Sequence, residues 1–196
     1  QNQVAQMDAA YRANPTNSTN AIQLVAGYAQ LRQTNQAIAI LDSLAQTASN
    51  DVVTLVSVAQ AYLQLGQPAK SQLAVTRMLP LSDQILANPE SDGPRLQGAL
   101  QTYQLVSNVP KMEAALQRLV KVNPASPELW YDLGALLAYQ TNVNPAIAAV
   151  SNAVQRSNAR LKQTPTAQNL RTMAATDGRF NVLRPHADFQ KAVAPQ

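Results

Sequence analysis

The stretch that decides the fold is Ser126–Ala153, SPELWYDLGALLAYQTNVNPAIAAVSNA. It holds two apolar stripes, Trp130-x-x-Leu133-Gly134-x-x-Leu137 and Ala146-x-x-x-Val150-x-x-Ala153. Steps of three and four residues place side chains on one face of an α-helix. Ser126 and Asn144 read as N-caps, with Pro127 and Pro145 in the first turns that follow. Gly134 and Ala146 are small where two helices of a hairpin must approach closely. The stretch therefore predicts one helical hairpin.

Working outward, the same unit recurs three times upstream. Leu24-Val25-x-x-Tyr28 is followed by Ala37-x-x-x-Leu41-x-x-Leu44. Val58-Ala59-x-x-Tyr62-x-x-x-Gly66 is followed by Ser71-x-x-x-Val75-x-x-Met78, with Pro68 at a helix start. Ala99-Leu100-x-x-Tyr103 is followed by Met112-x-x-x-Leu116-x-x-Leu119. The matching positions Ala37, Ser71, Met112 and Ala146 are 34, 41 and 34 residues apart. A lone hairpin cannot bury its stripe, whereas stacked hairpins share a continuous core.

On these residues the chain resembles the tetratricopeptide-repeat (TPR) family. Trp130-x-x-Leu133-Gly134 with Ala146 and the preceding Asn123-Pro124 is the fullest match, and the other three copies match by spacing and residue class. The resemblance spans about residues 1–157. It implies an all-α, TPR-type helical-hairpin solenoid: 34-residue repeats in a right-handed superhelix, closed by a C-terminal helical cap.

Three segments depart from the period. Seven extra residues fall within Pro80–Pro94, where Pro80 should end or kink its helix and Asn88-Pro89 and Asp92-Gly93-Pro94 signal turns. Leu81, Ile85 and Leu86 predict one short extra helical turn packed between consecutive hairpins. Counting the frame backward makes residues 1–15 the second helix of a repeat whose first helix is missing, with Met7, Ala10 and Pro15 in register. That reading makes the chain the C-terminal piece of a larger protein, and a mature gene product beginning at Gln1 would overturn it. Residues 16–157 hold the four hairpins, and residues 158–196 the cap. Within the cap, Thr164-Pro165 predicts a helix reaching about Ala175, Asp177-Gly178-Arg179 a stop, and Phe180, Leu183 and Phe189 an apolar press onto the last repeat. His186 falls in a turn beside Pro185, exposed and inert.

Composition excludes several chemistries. The 196 residues contain no cysteine and one histidine, so disulfides, thiolate nucleophiles and multi-histidine metal sites are out. Charged residues are 13%, about half the usual share. Seven of the fifteen Lys/Arg (Arg156, Arg160, Lys162, Arg171, Arg179, Arg184 and Lys191) lie after residue 153 with only two acids, so that segment is +5 and the rest −1. Dispersed cations read as a solvated face, and nucleic acid is disfavoured as a partner. No apolar run reaches the length of a membrane span. Glu128 and Asp132 sit four apart near a helix start, where acids favour the dipole. No convergent catalytic set and no glycine-rich phosphate loop is present, so neither an enzyme nor a cofactor is expected. The Asn17-Ser18-Thr19 triplet fits a glycosylation acceptor, which matters only in a secretory eukaryotic host.

In the TPR family the first helix of each hairpin lines the concave groove. The resemblance maps that lining to Ile22, Ala26 and Ala29; Val56, Gln60 and Leu63; Gln97, Gln101 and Gln104; and Tyr131, Ala135 and Ala138. None is charged. The lysines, arginines and asparagines with which family members grip an acidic carboxy terminus are absent from these slots. Gln60, Gln97, Gln101 and Gln104 form an amide ladder suited to an extended peptide backbone, and a solvated, silent face is the competing reading. The expected function is a non-catalytic protein–protein interaction scaffold that holds a neutral or apolar segment or packs on the rest of its own chain. The alternative is a regulatory or substrate-positioning appendage of a membrane glycosyltransferase-like enzyme. Low charge, absent cysteine and abundant Gln/Asn lean toward a bacterial extracytoplasmic module; partner and oligomeric state stay open.

Overall fold

The computed structural model describes residues 2–194. Among those residues every regular element is a helix, and there is no strand. The chain divides into two compact units, Gln1–Ser107 and Asn108–Gln196.

The first unit contains α1 (Asn2–Ala13), α2 (Ser18–Gln30), α3 (Thr34–Thr47), α4 (Val52–Gln64), α5 (Pro68–Ala87) and α6 (Gly93–Leu105). Each helix packs on the next, and α4 also packs on α2 and α6. The helices thus form two layers, α2, α4 and α6 in one and α1, α3 and α5 in the other. Ala21, Val25, Ala37, Leu41, Leu44, Val58 and Tyr62 make one core. Val52, Leu55, Val56, Ala59, Ala74, Val75 and Met78 make the next. The starts of α2, α4 and α6 are capped by side chains: Asn17 accepts from Asn20 N, Asp51 from Val53 N and Asp92 from Arg95 N.

The turns inside the hairpins share one geometry. Arg32, Gly66, Ser107 and Thr141 have φ of 58°, 69°, 53° and 61°. Their spacing repeats the 34-, 41- and 34-residue intervals of the sequence. Gln33 N, Gln67 N and Asn142 N donate back to Tyr28 O, Tyr62 O and Leu137 O at 2.9, 2.8 and 2.9 Å, the six-to-one bond of a Schellman ending. Only Gly66 takes this conformation without steric cost. Thr141, β-branched, is the residue worst suited to it. Thr141→Gly should therefore raise stability by about 0.5–1 kcal/mol, the relieved strain exceeding glycine's extra unfolded-state entropy. Urea melts of the two proteins test this, and an unchanged or lowered midpoint would contradict it.

Two expectations are corrected in this region. Pro80 does not end its helix, since α5 runs twenty residues through it. Proline removes the N–H that would bond the carbonyl of residue 76, a penalty of about 3 kcal/mol in a helix interior. Leu81 and Ile85 pack against the second core, so apolar burial on the far side of Pro80 holds the helix together. The seven extra residues thus lengthen α5 and do not make a separate turn. Asn144 is not a cap either, because α9 already begins at Val143.

The second unit contains α7 (Val109–Val122), α8 (Pro127–Tyr139), α9 (Val143–Gln163), α10 (Leu170–Thr176), a 3₁₀ helix (Gly178–Leu183) and α11 (Ala187–Val193). Ser126 caps α8 as expected, accepting from Leu129 N. A Cβ on Gly134 would stand 2.8 Å from Val150 Cγ2, so only glycine permits the approach of α8 to α9. The cap differs in detail from its expected form. α9 continues to Gln163, where Pro165 forces Thr164 out of helical geometry (φ −134°, ψ 85°). The next helix begins at Leu170, not Pro165, because Asn169 accepts from Arg171 N and Thr172 N. Asp177 is both the end of α10 and the side-chain cap of the 3₁₀ helix, accepting from Arg179 N. Phe180, Leu183 and Phe189 are buried, and His186 is exposed.

Candidate interaction site

The groove residues divide by unit. On the layer of first helices in unit one, Ala26, Gln60, Leu63 and Gln104 are exposed, and Ile22, Ala29, Gln97 and Gln101 are half-buried. The side-chain amides of Gln60, Gln97, Gln101 and Gln104 have no hydrogen-bond partner among the described residues. Leu63, an apolar side chain, is 49% exposed beside them. Helices α2, α4 and α6 carry a single charged residue, Arg95. Val56 departs from the expected lining: it is 2% exposed and belongs to the second core. Its position on α4 turns it toward α5, so it is core and not surface.

In unit two, Tyr131, Ala135 and Ala138 are all buried, contrary to their expected place on an open face. For Tyr131 the cause is plain. The 3₁₀ helix folds onto α8, and Phe180 meets the Tyr131 ring edge-on at 5.1 Å. The Tyr131 hydroxyl donates to Asp177 Oδ2 at 2.8 Å, and the Arg179 guanidinium lies 5.3 Å from the ring centre. Burial and that hydrogen bond push the Tyr131 hydroxyl pKa up to about 12. Arg179 bonds Asp177 and holds its carboxyl down to about 2, with the hydroxyl of Tyr131 helping.

The sign of the resulting pH dependence follows. Asp177 is depressed in the folded state, so its contribution is complete above the ordinary carboxylate pKa near 4 and is lost as pH falls through about 2. Arg179 is half exposed, so solvent screening leaves about 1–2 kcal/mol of the full linkage. Urea melts at pH 5 and pH 2 should show this part of the acid loss in the native protein and not in Asp177→Asn. Equal acid losses in the two would contradict the assignment.

A device the repeat pattern does not reveal joins consecutive hairpins. The Tyr62 hydroxyl donates to Asp42 at 2.6 Å, and the Tyr103 hydroxyl donates to Asp83 at 2.8 Å. Lys70 completes the first pair at 2.6 Å from the same carboxylate. Burial and the neighbouring carboxylate push both tyrosine pKa values upward. The sequence signal is an aspartate twenty residues before a repeat tyrosine. It also occurs at Asp8 and Tyr28, but Asp8 pairs with Arg12 instead, at 2.7 Å. These tyrosines therefore stitch the scaffold and do not line a binding face.

Clefts also lie in the first unit. One, of about 260 Å³, is lined by residues including Asp51, Gln84, Asn88 and Arg95. Another, of about 250 Å³, is lined by residues including Asp42, Lys70, Leu73 and Arg77. A third, of about 240 Å³, is lined by residues including Thr16, Leu44, Asp51 and Thr54. A larger one, of about 550 Å³, lies in the second unit among α9, α10 and α11. Among the described residues no group of three or more His, Cys, Asp or Glu could hold a metal ion. No described helix is long and apolar enough to cross a membrane.

No protein-family model matches the sequence, and no curated protein matches it. Solved structures do. The chain is similar to TTC0263, a thermophilic TPR protein of Thermus thermophilus, with a TM-score of 0.54 and 19% identity over 88% of this chain and 87% of that one. The fold is that of the TPR proteins. MamA shares the TPR-like architecture at a TM-score of 0.53 and 13% identity, over 81% of this chain and 89% of its own. Human IFIT1, solved as a dimer with m7Gppp-AAAA, matches at 0.53 and 14% identity over 96% of this chain and 43% of its own. At such identities the likeness is one of TPR architecture.

Proposed function

We propose that the chain is a non-catalytic protein-interaction scaffold that holds a neutral or apolar extended segment against α2, α4 and α6. The observation that supports this is the combination of four unengaged glutamine amides with the exposed Leu63 on a layer bearing one charge. Each glutamine amide offers one acceptor and two donors, the complement of a peptide unit. Leu63 of α4 and Ala26 and Ile22 of α2 would supply apolar contact on the same layer. The TPR architecture is compatible with this use, and the neutral layer disfavours a nucleic-acid backbone, which needs cations.

The experiment is affinity capture at low and high salt with the native protein and two variants, Gln60→Glu/Gln101→Glu and Leu63→Asp. A partner retained at high salt and lost, by about tenfold or more in affinity, from both variants is the expected result. A partner that leaves with salt, or that binds both variants as well as the native chain, would overturn the proposal. Gln101→Ala should meanwhile leave stability within about 0.5 kcal/mol, as for a half-buried position whose side chain makes no hydrogen bond.

A further inference from the structure

The cleft of the second unit is lined by Ser151, Val154, Gln155 and Asn158 of α9, Arg171 of α10, and Asp188, Lys191 and Ala192 of α11, with Ala194 beyond. Its volume of about 550 Å³ falls within the range of small-ligand sites. The four α9 residues follow helical spacing, so they form one row along a single face. Three of them present a hydroxyl or an amide. The row rises about 10 Å, the length of about three extended residues.

The cations of the cleft are not engaged in ion pairs. Neither Arg171 nor Lys191 has an ion-pair partner among the described residues. The Nε of Arg171 is buried and has no hydrogen-bond partner. Arg171 and Lys191 thus bring to the cleft a guanidinium and an ammonium that no ion pair engages, the groups best suited to an anionic acceptor. Arg171 also has a defined place on the row. Leu170 N donates to Ser157 Oγ at 3.0 Å, which sets the start of α10 beside the 157–158 end of α9. Arg171 thus sits near one end of the α9 row, and the amides of Asn158 and Gln155 and the hydroxyl of Ser151 run away from it.

We propose that this cleft binds the carboxyl end of a peptide, the carboxylate on Arg171 and Lys191 and the preceding amides along Asn158, Gln155 and Ser151. Asp188 lines the same cleft and limits its net positive charge to one, which suits a single carboxylate and opposes a multiply charged phosphate. Val154 and Ala192 give small apolar contacts that suit short side chains. The site lies on different helices from the α2, α4 and α6 layer and does not depend on it.

Calorimetric titration of the full chain with N-acetyl-trialanine tests this, against the same peptide amidated at its carboxyl end and against inorganic phosphate, all at one ionic strength. The free acid should bind saturably, and the amide should bind at least about tenfold more weakly. Arg171→Gln and Lys191→Gln should each weaken the acid by about fivefold or more, while Gln36→Ala, at an exposed position on α3, leaves it unchanged. Lys191 is exposed, so its variant keeps the test valid even if Arg171→Gln disturbs α10. Equal binding of acid and amide, no binding of either, binding of phosphate as tight as the acid, or an unaffected Lys191→Gln would each overturn the proposal.

Discussion

Phe180→Ala should lower the unfolding free energy of the second unit by about 3–5 kcal/mol, the range for removing a fully buried aromatic ring. Phe180 is 0% exposed, with its ring 5.1 Å from Tyr131 and 5.9 Å from Phe189. Edge-to-face pairs of this kind add to the burial itself. The segment that Phe180 anchors has little stability of its own: α10 and α11 are seven residues each, far below the length at which isolated helices persist. The loss should therefore be regional as well as global. Hydrogen exchange across residues 170–193 should accelerate well beyond that of α8 and α9, and urea melts should give the magnitude. A loss below about 1 kcal/mol, or uniform exchange, would mean that the segment is held by something other than its aromatic contacts.

Leu133→Ala should cost about 2–5 kcal/mol, from lost transfer free energy and the cavity left behind. Leu133 is buried on α8, one residue before Gly134, where α8 and α9 are in closest contact. A glycine neighbour offers no side chain to relax into the vacated space, so the cavity should persist and the cost should lie away from the low end of the range. Denaturant melting of Leu133→Ala beside Gln101→Ala gives the contrast that matters, a large loss against nearly none. A loss well under about 1 kcal/mol for Leu133→Ala would mean that the repeat frame is misplaced.

Much of the hairpin architecture is legible in the sequence because its signals are local. The three- and four-residue spacing around Tyr28, Tyr62, Tyr103 and Leu133 places the helices, and Ser126 marks its cap. Pro80 misleads for the opposite reason. Proline's cost is local and visible in the sequence, whereas the burial of Leu81 and Ile85 that outweighs it comes from the second core. Asn169 is hidden as a cap because Thr164-Pro165 has the stronger local signature of a helix start, yet Thr164 ends a helix. Arg171 and Lys191 read as two of seven dispersed cations, and only folding brings them into one cleft.

The candidate site divides along the same line. Ala26, Gln60, Leu63 and Gln104, placed on an open face by the repeat frame, are exposed, whereas Val56, placed there by the same frame, is buried in the core. Tyr131 occupies the equivalent slot, but its hydroxyl meets Asp177, forty-six residues later, and its ring meets Phe180. By itself the sequence determined the period, the hairpins, the helix faces and the neutrality of the first-helix layer, because each depends on residues within a few turns of one another. Which faces stay open, which helix survives its proline and where the free cations converge were decided by the tertiary structure, because each depends on what a distant segment covers.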